Sequence, residues 1–91
     1  MAIARLNKGV KSLSENYEDW ADVIKKSDKS SQEYSDAISG MQDALGDIFN
    51  AESDYVSNDF IVNHLKEIEA ASKGSESAID SLGKAFARDV A

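Results

Sequence analysis

Residues 2–26, Ala2-Ile-Ala-Arg-Leu-Asn-Lys-Gly-Val-Lys-Ser-Leu-Ser-Glu-Asn-Tyr-Glu-Asp-Trp-Ala-Asp-Val-Ile-Lys-Lys26, decide the fold. Ile3, Leu6, Val10, Leu13, Tyr17, Trp20 and Ile24 recur at alternating steps of three and four. On an α-helix such steps stack side chains on one stripe, the pattern of a helix that packs lengthwise against another, as in a coiled coil. Val23 widens the stripe near its end, while Lys8, Lys11, Glu15, Glu18, Asp22 and Lys25 lie off it. At about 1.5 Å rise per residue this first helix would be near 37 Å long.

Outward from it, Ser27-Asp-Lys-Ser-Ser31 is a polar break, and Ser30 followed by Glu33 reads as a capping box opening a second helix over 31–49. The stripe of that helix is Tyr34, Ile38, Met41, Leu45 and Ile48, with Ala37, Ala44 and Phe49 beside it. Continued in heptads from Ile24, the first stripe passes through Ser27 and Ser31 to Tyr34, so a continuous rod from 2 to 49 has the same phase. The run of polar residues with a cap signal favours the hairpin. Residues 50–57 form a second break, with Ser53 and Ser57 as candidate caps and Tyr55 and Val56 expected to pin it to the core. A third helix is expected over 58–72, with Ile61, Leu65 and Ile68 inward. Lys73-Gly-Ser75 then reads as a helix end, a left-handed glycine and a new N-cap. The fourth helix runs over 76–90 through Ile79, Leu82, Phe86 and Val90. The expectation is all-α: three to four antiparallel amphipathic helices in a small bundle, one domain over 1–91. Both ends look cut from within helices, as in a fragment of a longer helical protein.

Composition agrees. The 91 residues hold no proline, no cysteine and five glycines, which disfavours a turn-rich β sandwich and excludes disulfides, thiol nucleophiles and cysteine-ligated metals. Leu, Ile, Val and Phe number 20, enough for a thin core only. No apolar run approaches the length of a membrane span. The net charge of −7 is unevenly placed: from residue 30 to 65 there is no Lys or Arg against seven acids, and the other ten acids balance the ten bases. An acidic middle repels nucleic-acid phosphates and anionic lipid. The bases Arg5, Lys8 and Lys11 near the start are too few for a nucleic-acid arm and read as the solvated side of the first helix.

Chemical motifs are sparse. Ser81-Leu-Gly-Lys84 matches the short serine–lysine pattern, but the companion motifs of such enzymes are missing. Asp80-Ser-Leu82 matches the tripeptide that carries phosphopantetheine in acyl carrier proteins, yet only nine residues follow Leu82. Asn50, Glu52 and Asp54 alternate like calcium ligands. Counted from Asn50, however, the turn glycine and the bidentate glutamate of a helix–loop–helix site are replaced by Tyr55 and Ile61. His64 is the single histidine and reads as a packing residue one turn from Phe60 and Ile68. No phosphate-binding glycine loop occurs. The residues therefore point to no catalytic group, cofactor or metal and to no small-molecule substrate. The feature with most binding character is the first stripe: if incompletely covered, Leu13, Tyr17, Trp20 and Ile24 form a protein-binding surface.

Two runs, Tyr34-Ser-Asp-Ala-Ile-Ser-Gly-Met-Gln-Asp-Ala-Leu-Gly-Asp-Ile-Phe-Asn50 and Val56-Ser-Asn-Asp-Phe-Ile-Val-Asn-His-Leu-Lys-Glu-Ile-Glu-Ala-Ala-Ser-Lys-Gly-Ser-Glu-Ser-Ala-Ile-Asp-Ser-Leu82, resemble helical segments of tail tape measure proteins of bacteriophages and prophages. The opening, Ala2 to Ser31, fits the same style less specifically. The resemblance implies a segment of a long, largely helical protein that occupies the growing tail tube, sets tail length and is released on genome delivery. It implies a place in the virion tail, and in the host bacterial cytoplasm during assembly, with self-association or other tail proteins as partners. Family members are many hundreds of residues long, and no catalytic residue carries over. The competing expectation is a soluble helical adaptor that binds a cellular protein through the Leu13, Tyr17, Trp20 and Ile24 stripe.

Overall fold

The computed structural model describes residues 3–90. The expected helix start at residue 2, the side chain of Ile3 and the end at Ala91 lie outside what is described. Helix α1 (Ile3–Lys26) is followed by α2 (Gln32–Phe49), a 3-10 turn (Ser53–Tyr55), α3 (Asn58–Asn63), α4 (Leu65–Ser72) and α5 (Glu76–Val90), with no strand among the described residues. Helix α1 lies along α2 and also packs on α4, while α5 packs chiefly on α4. The bundle measures 36 × 28 × 20 Å, its long dimension matching the length of a 24-residue helix. It is the all-α helical bundle that the periodicity predicts.

Between α1 and α2 the chain reverses in five residues. The Asp28 carboxylate accepts from the backbone N–H and the hydroxyl of Ser30, both at 2.8 Å. Those bonds favour its charged form and hold its pKa below the usual carboxylate value. Both hydroxyls donate to Asp28, that of Ser30 to the carboxylate and that of Ser31 to the carbonyl at 2.7 Å, and the N-cap is Ser31, whose Oγ accepts from the Tyr34 N–H at 3.1 Å. The capping-box register expected from Ser30 and Glu33 is thus off by one residue: the Asp28 carboxylate holds Ser30 in the loop, and the Asp28 carbonyl holds Ser31 at the helix start. The hairpin, and not the continuous rod, is what forms.

Close approach of α1 and α2 rests on two glycines. A Cβ on Gly9 would stand 2.6 Å from the Ala44 carbonyl oxygen, and one on Gly40 would stand 2.5 Å from Trp20 Cε2. With Ala37 and Ala44 also buried on α2, the two helices meet over small side chains, which lets larger neighbours such as Leu13, Met41 and Leu45 become fully buried. At the start of α1, Arg5 reaches across to the end of α2. Its Nε donates to Asp47 Oδ1 at 2.9 Å, Nη1 to Asn50 Oδ1 at 2.9 Å and Nη2 to the Ala51 carbonyl at 2.8 Å. A cation at a helix C-terminus is favoured by the helix dipole.

Two helices end in the same way. At α2, Asn50 is left-handed (φ 56), its N–H meets the Asp47 carbonyl and the Ala51 N–H meets that of Gly46. At α4, Gly74 is left-handed (φ 88), its N–H meets the Ala71 carbonyl and the Ser75 N–H meets that of Ala70. Both are Schellman closures. Ser75 then caps α5 through the Ala78 N–H at 3.2 Å, and Ser57 caps α3 through the Phe60 N–H at 3.0 Å. These restarts follow the sequence reading. Ser53 does not cap a helix through its side chain; its carbonyl accepts the Val56 N–H within the 3-10 turn. Val56 is fully buried, but Tyr55 is 62% exposed, so only one of the pair pins the loop.

The single helix expected over 58–72 is two. His64 leaves helical geometry (φ −121, ψ 24). Its N–H is shared between the Phe60 and Ile61 carbonyls, its Nδ1 lies 2.8 Å from the Phe60 oxygen, and its ring stacks on Phe60 at 4.3 Å. With that nitrogen protonated, the side chain donates to the same carbonyl as its own backbone. The resulting bend lets Ile61 and Ile68 both reach full burial. Phe49, Phe60 and Phe86 close the core from three helices: Phe49 stacks on Phe86 at 4.6 Å, and Phe60 meets each edge-on at 6.0 Å.

Candidate functional site

The stripe singled out for partner contacts is placed inside the molecule. Leu13 is fully buried, and Tyr17 and Ile24 are buried against the same core. The Tyr17 hydroxyl donates to the Leu65 carbonyl at 2.9 Å. Burial, and secondarily the negative charge of Glu69, raise the Tyr17 pKa above its ordinary value. Trp20 is partly buried and lies across Gly40. In the folded chain the stripe is therefore the seam of α1 with α2 and α4. Of the expected surface along Leu13, Tyr17, Trp20 and Ile24, burial removes Leu13, Tyr17 and Ile24, while Trp20 keeps part of its side chain exposed.

The motif residues are distributed in ways that do not assemble their chemistries. Lys84 Nζ points to Asp80 Oδ2 at 3.0 Å, while Ser81 is exposed on α5. Asp80, Ser81 and Leu82 stand in the middle of that helix and not at its start. Asn50 Oδ1 accepts from the Arg5 guanidinium, so a cation already occupies the first of the alternating oxygens. His64 is turned onto Phe60, as a packing residue. Among the described residues no three His, Asp or Glu side chains gather as metal ligands. No helix among them is long and apolar enough to cross a membrane.

What the structure brings together instead is an open apolar groove of about 610 Å³ between the start of α1, the end of α2 and α5. Leu6 lines it from α1, Ile79 and Val90 line it from α5, and between them lie Phe49 and Phe86, stacked on each other. Val90 is half exposed. Gly83 lies in the α5 wall, and a Cβ there would meet nothing within 4 Å, so no contact inside this chain requires a glycine. Along the outer side of α5 run Glu76, Asp80, Lys84 and Arg88, all exposed and each four residues from the next. The groove escaped the sequence reading because its walls come from three helices, two of them near opposite ends of the chain. The one local signal was an unexplained glycine inside the amphipathic pattern of the last helix. No family model, curated protein or solved structure matches the chain.

Proposed function

We propose that this chain is a structural helical module of the tail tape measure type, acting in tail assembly and length determination by packing against other helices, without catalysis. It would reside in the virion tail and, during assembly, in the host bacterial cytoplasm. The observation that carries the reading is where the two resembling runs fall. Residues 34–50 are α2 with its left-handed Asn50 closure, and residues 56–82 are the segment from the buried Val56 through the Ser57 cap, the His64 bend and the Gly74–Ser75 restart. In this chain those runs include residues that start, bend and stop helices.

The described polar contacts between helices support a packing role. Arg5, Tyr17 and Gln42 each join separate elements through backbone carbonyls or carboxylates. An adaptor working through Leu13, Tyr17 and Ile24 would have to pull α1 away from α2 and α4, exposing a buried seam at a cost of about 1.5–3 kcal/mol per large side chain. The test is peptide mass spectrometry of purified tail particles from bacteria carrying the gene. Peptides from residues 34–50 and 56–82 are expected in the tail fraction. Their presence only in the particle-free fraction would overturn the assignment.

A further inference from the structure

We infer that α5 and the groove beside it form a self-complementary surface that pairs this chain, antiparallel and two-fold, with a second copy of itself. The charge order along α5 points to that occupant. Glu76 and Asp80 are negative, Lys84 and Arg88 are positive, and the four stand in one row at steps of four. Laid antiparallel about a two-fold axis beside Leu82 and Gly83, the row opposes its own reverse. Glu76 then faces Arg88 of the second copy, and the Asp80–Lys84 pair that each copy already makes at 3.0 Å meets its counterpart across the axis, opposite charges opposed. The same axis sets Ile79 of each copy against the α5 edge of the other copy's groove, placing groove against groove. Gly83 comes to the crossing point, where a missing Cβ lets helices approach closely.

A parallel arrangement would set like charges side by side. A partner of uniform charge would match only half of the row. Two-fold pairing uses the same patch on both copies, as isologous interfaces do. The overall charge of −7 does not oppose it at this place. Its excess lies in residues 30–65, whereas α5 carries three acids against two bases. One helix and one groove per copy make a small interface, of the weak and reversible class. The inference concerns the chain itself and stands apart from the tail assignment, so either can fail alone.

Sedimentation equilibrium of the full chain tests it up to millimolar concentration, with two charge variants, E76K/D80K and K84E/R88E. All four positions are exposed, so both variants are expected to keep the helical circular dichroism of the parent. The parent is expected to show a reversible monomer–dimer equilibrium. Each variant alone, now carrying a row of one sign, is expected to dimerise at least about tenfold more weakly. An equimolar mixture of the two is expected to recover pairing, as a mixed dimer. A parent that stays monomeric would overturn the inference and leave the groove to a different chain. A parent dimer insensitive to either variant, or variants that weaken pairing without recovery on mixing, would overturn the antiparallel α5 arrangement.

Discussion

Trp20 lies across Gly40 so closely that a single added methyl at position 40 would stand 2.5 Å from Cε2 and 2.6 Å from Cζ2 of the indole. Two effects of a Gly40→Ala change oppose each other. Helix propensity favours alanine by about 1 kcal/mol. Displacing a ring packed between two helices costs about 1–3 kcal/mol. The clash is with rigid ring atoms, so the expected net result is a destabilisation of about 1 kcal/mol. Denaturant unfolding measures it, and Trp20 fluorescence should shift toward the emission of a more hydrated indole.

Gly74 and Gly83 should respond in opposite directions to the same change. Gly74 sits at φ 88, where a Cβ is strained, although nothing crowds it. Gly74→Ala is expected to cost about 1 kcal/mol. Gly83 is helical with open space around it, and Gly83→Ala is expected to stabilise the monomer by about 0.5–1 kcal/mol. Thermal unfolding at low protein concentration, where pairing is absent, compares the two directly.

Tyr17→Phe removes the bond to Leu65 and leaves that carbonyl to its helical partner alone. The expected loss is about 0.5–1.5 kcal/mol. Burial of the Tyr17 phenol, and secondarily the negative charge of Glu69, set a pH dependence. The phenol pKa is raised in the fold, so its contribution to stability is fully present below its ordinary value of 10.0 and is lost as pH rises through the higher folded value. The parent should therefore lose stability above pH 10 more steeply than Tyr17→Phe. Chemical denaturation across that range shows whether the two curves converge.

Ser31 and Ser30 are adjacent and chemically identical, yet only one caps α2. Ser31→Ala is expected to destabilise by about 1 kcal/mol. Ser30→Ala is expected to cost less, because the bond it loses is an exposed one to Asp28 and the Ser30 N–H still donates there. Equal losses from the two, read in the same unfolding assay, would move the helix start back by one residue.

These adjacent serines also show where sequence reasoning reaches its end. The period of the first stripe, the Ser57 cap and the Gly74–Ser75 restart are local signals, and local signals were legible. The choice of Ser31 over Ser30 depends on how Asp28 holds the two, Ser30 through its carboxylate and Ser31 through its carbonyl. The bend at His64 depends on a side chain taking the Phe60 carbonyl and on Tyr17 arriving from α1 at the neighbouring carbonyl of Leu65. Neither leaves a trace in periodicity. For the candidate site, the stripe of α1 was visible, but its cover was not: periodicity identifies an apolar face without saying what packs on it. The groove was hidden for the complementary reason, since Leu6, Phe49 and Phe86 become neighbours only after folding.

The folding back of α1 onto α2 underlies every element of this account, and a single distance tests it. Lys8 and Asp43 are exposed and line one shallow depression across the hairpin. The chain contains no native cysteine, so a cysteine at each position takes a spin label cleanly. Dipolar spectroscopy should return a short separation, roughly 10–20 Å, as for labels on helices in contact. A separation near 50 Å, about 1.5 Å for each intervening residue of an unbroken helix, would show a rod and contradict the account.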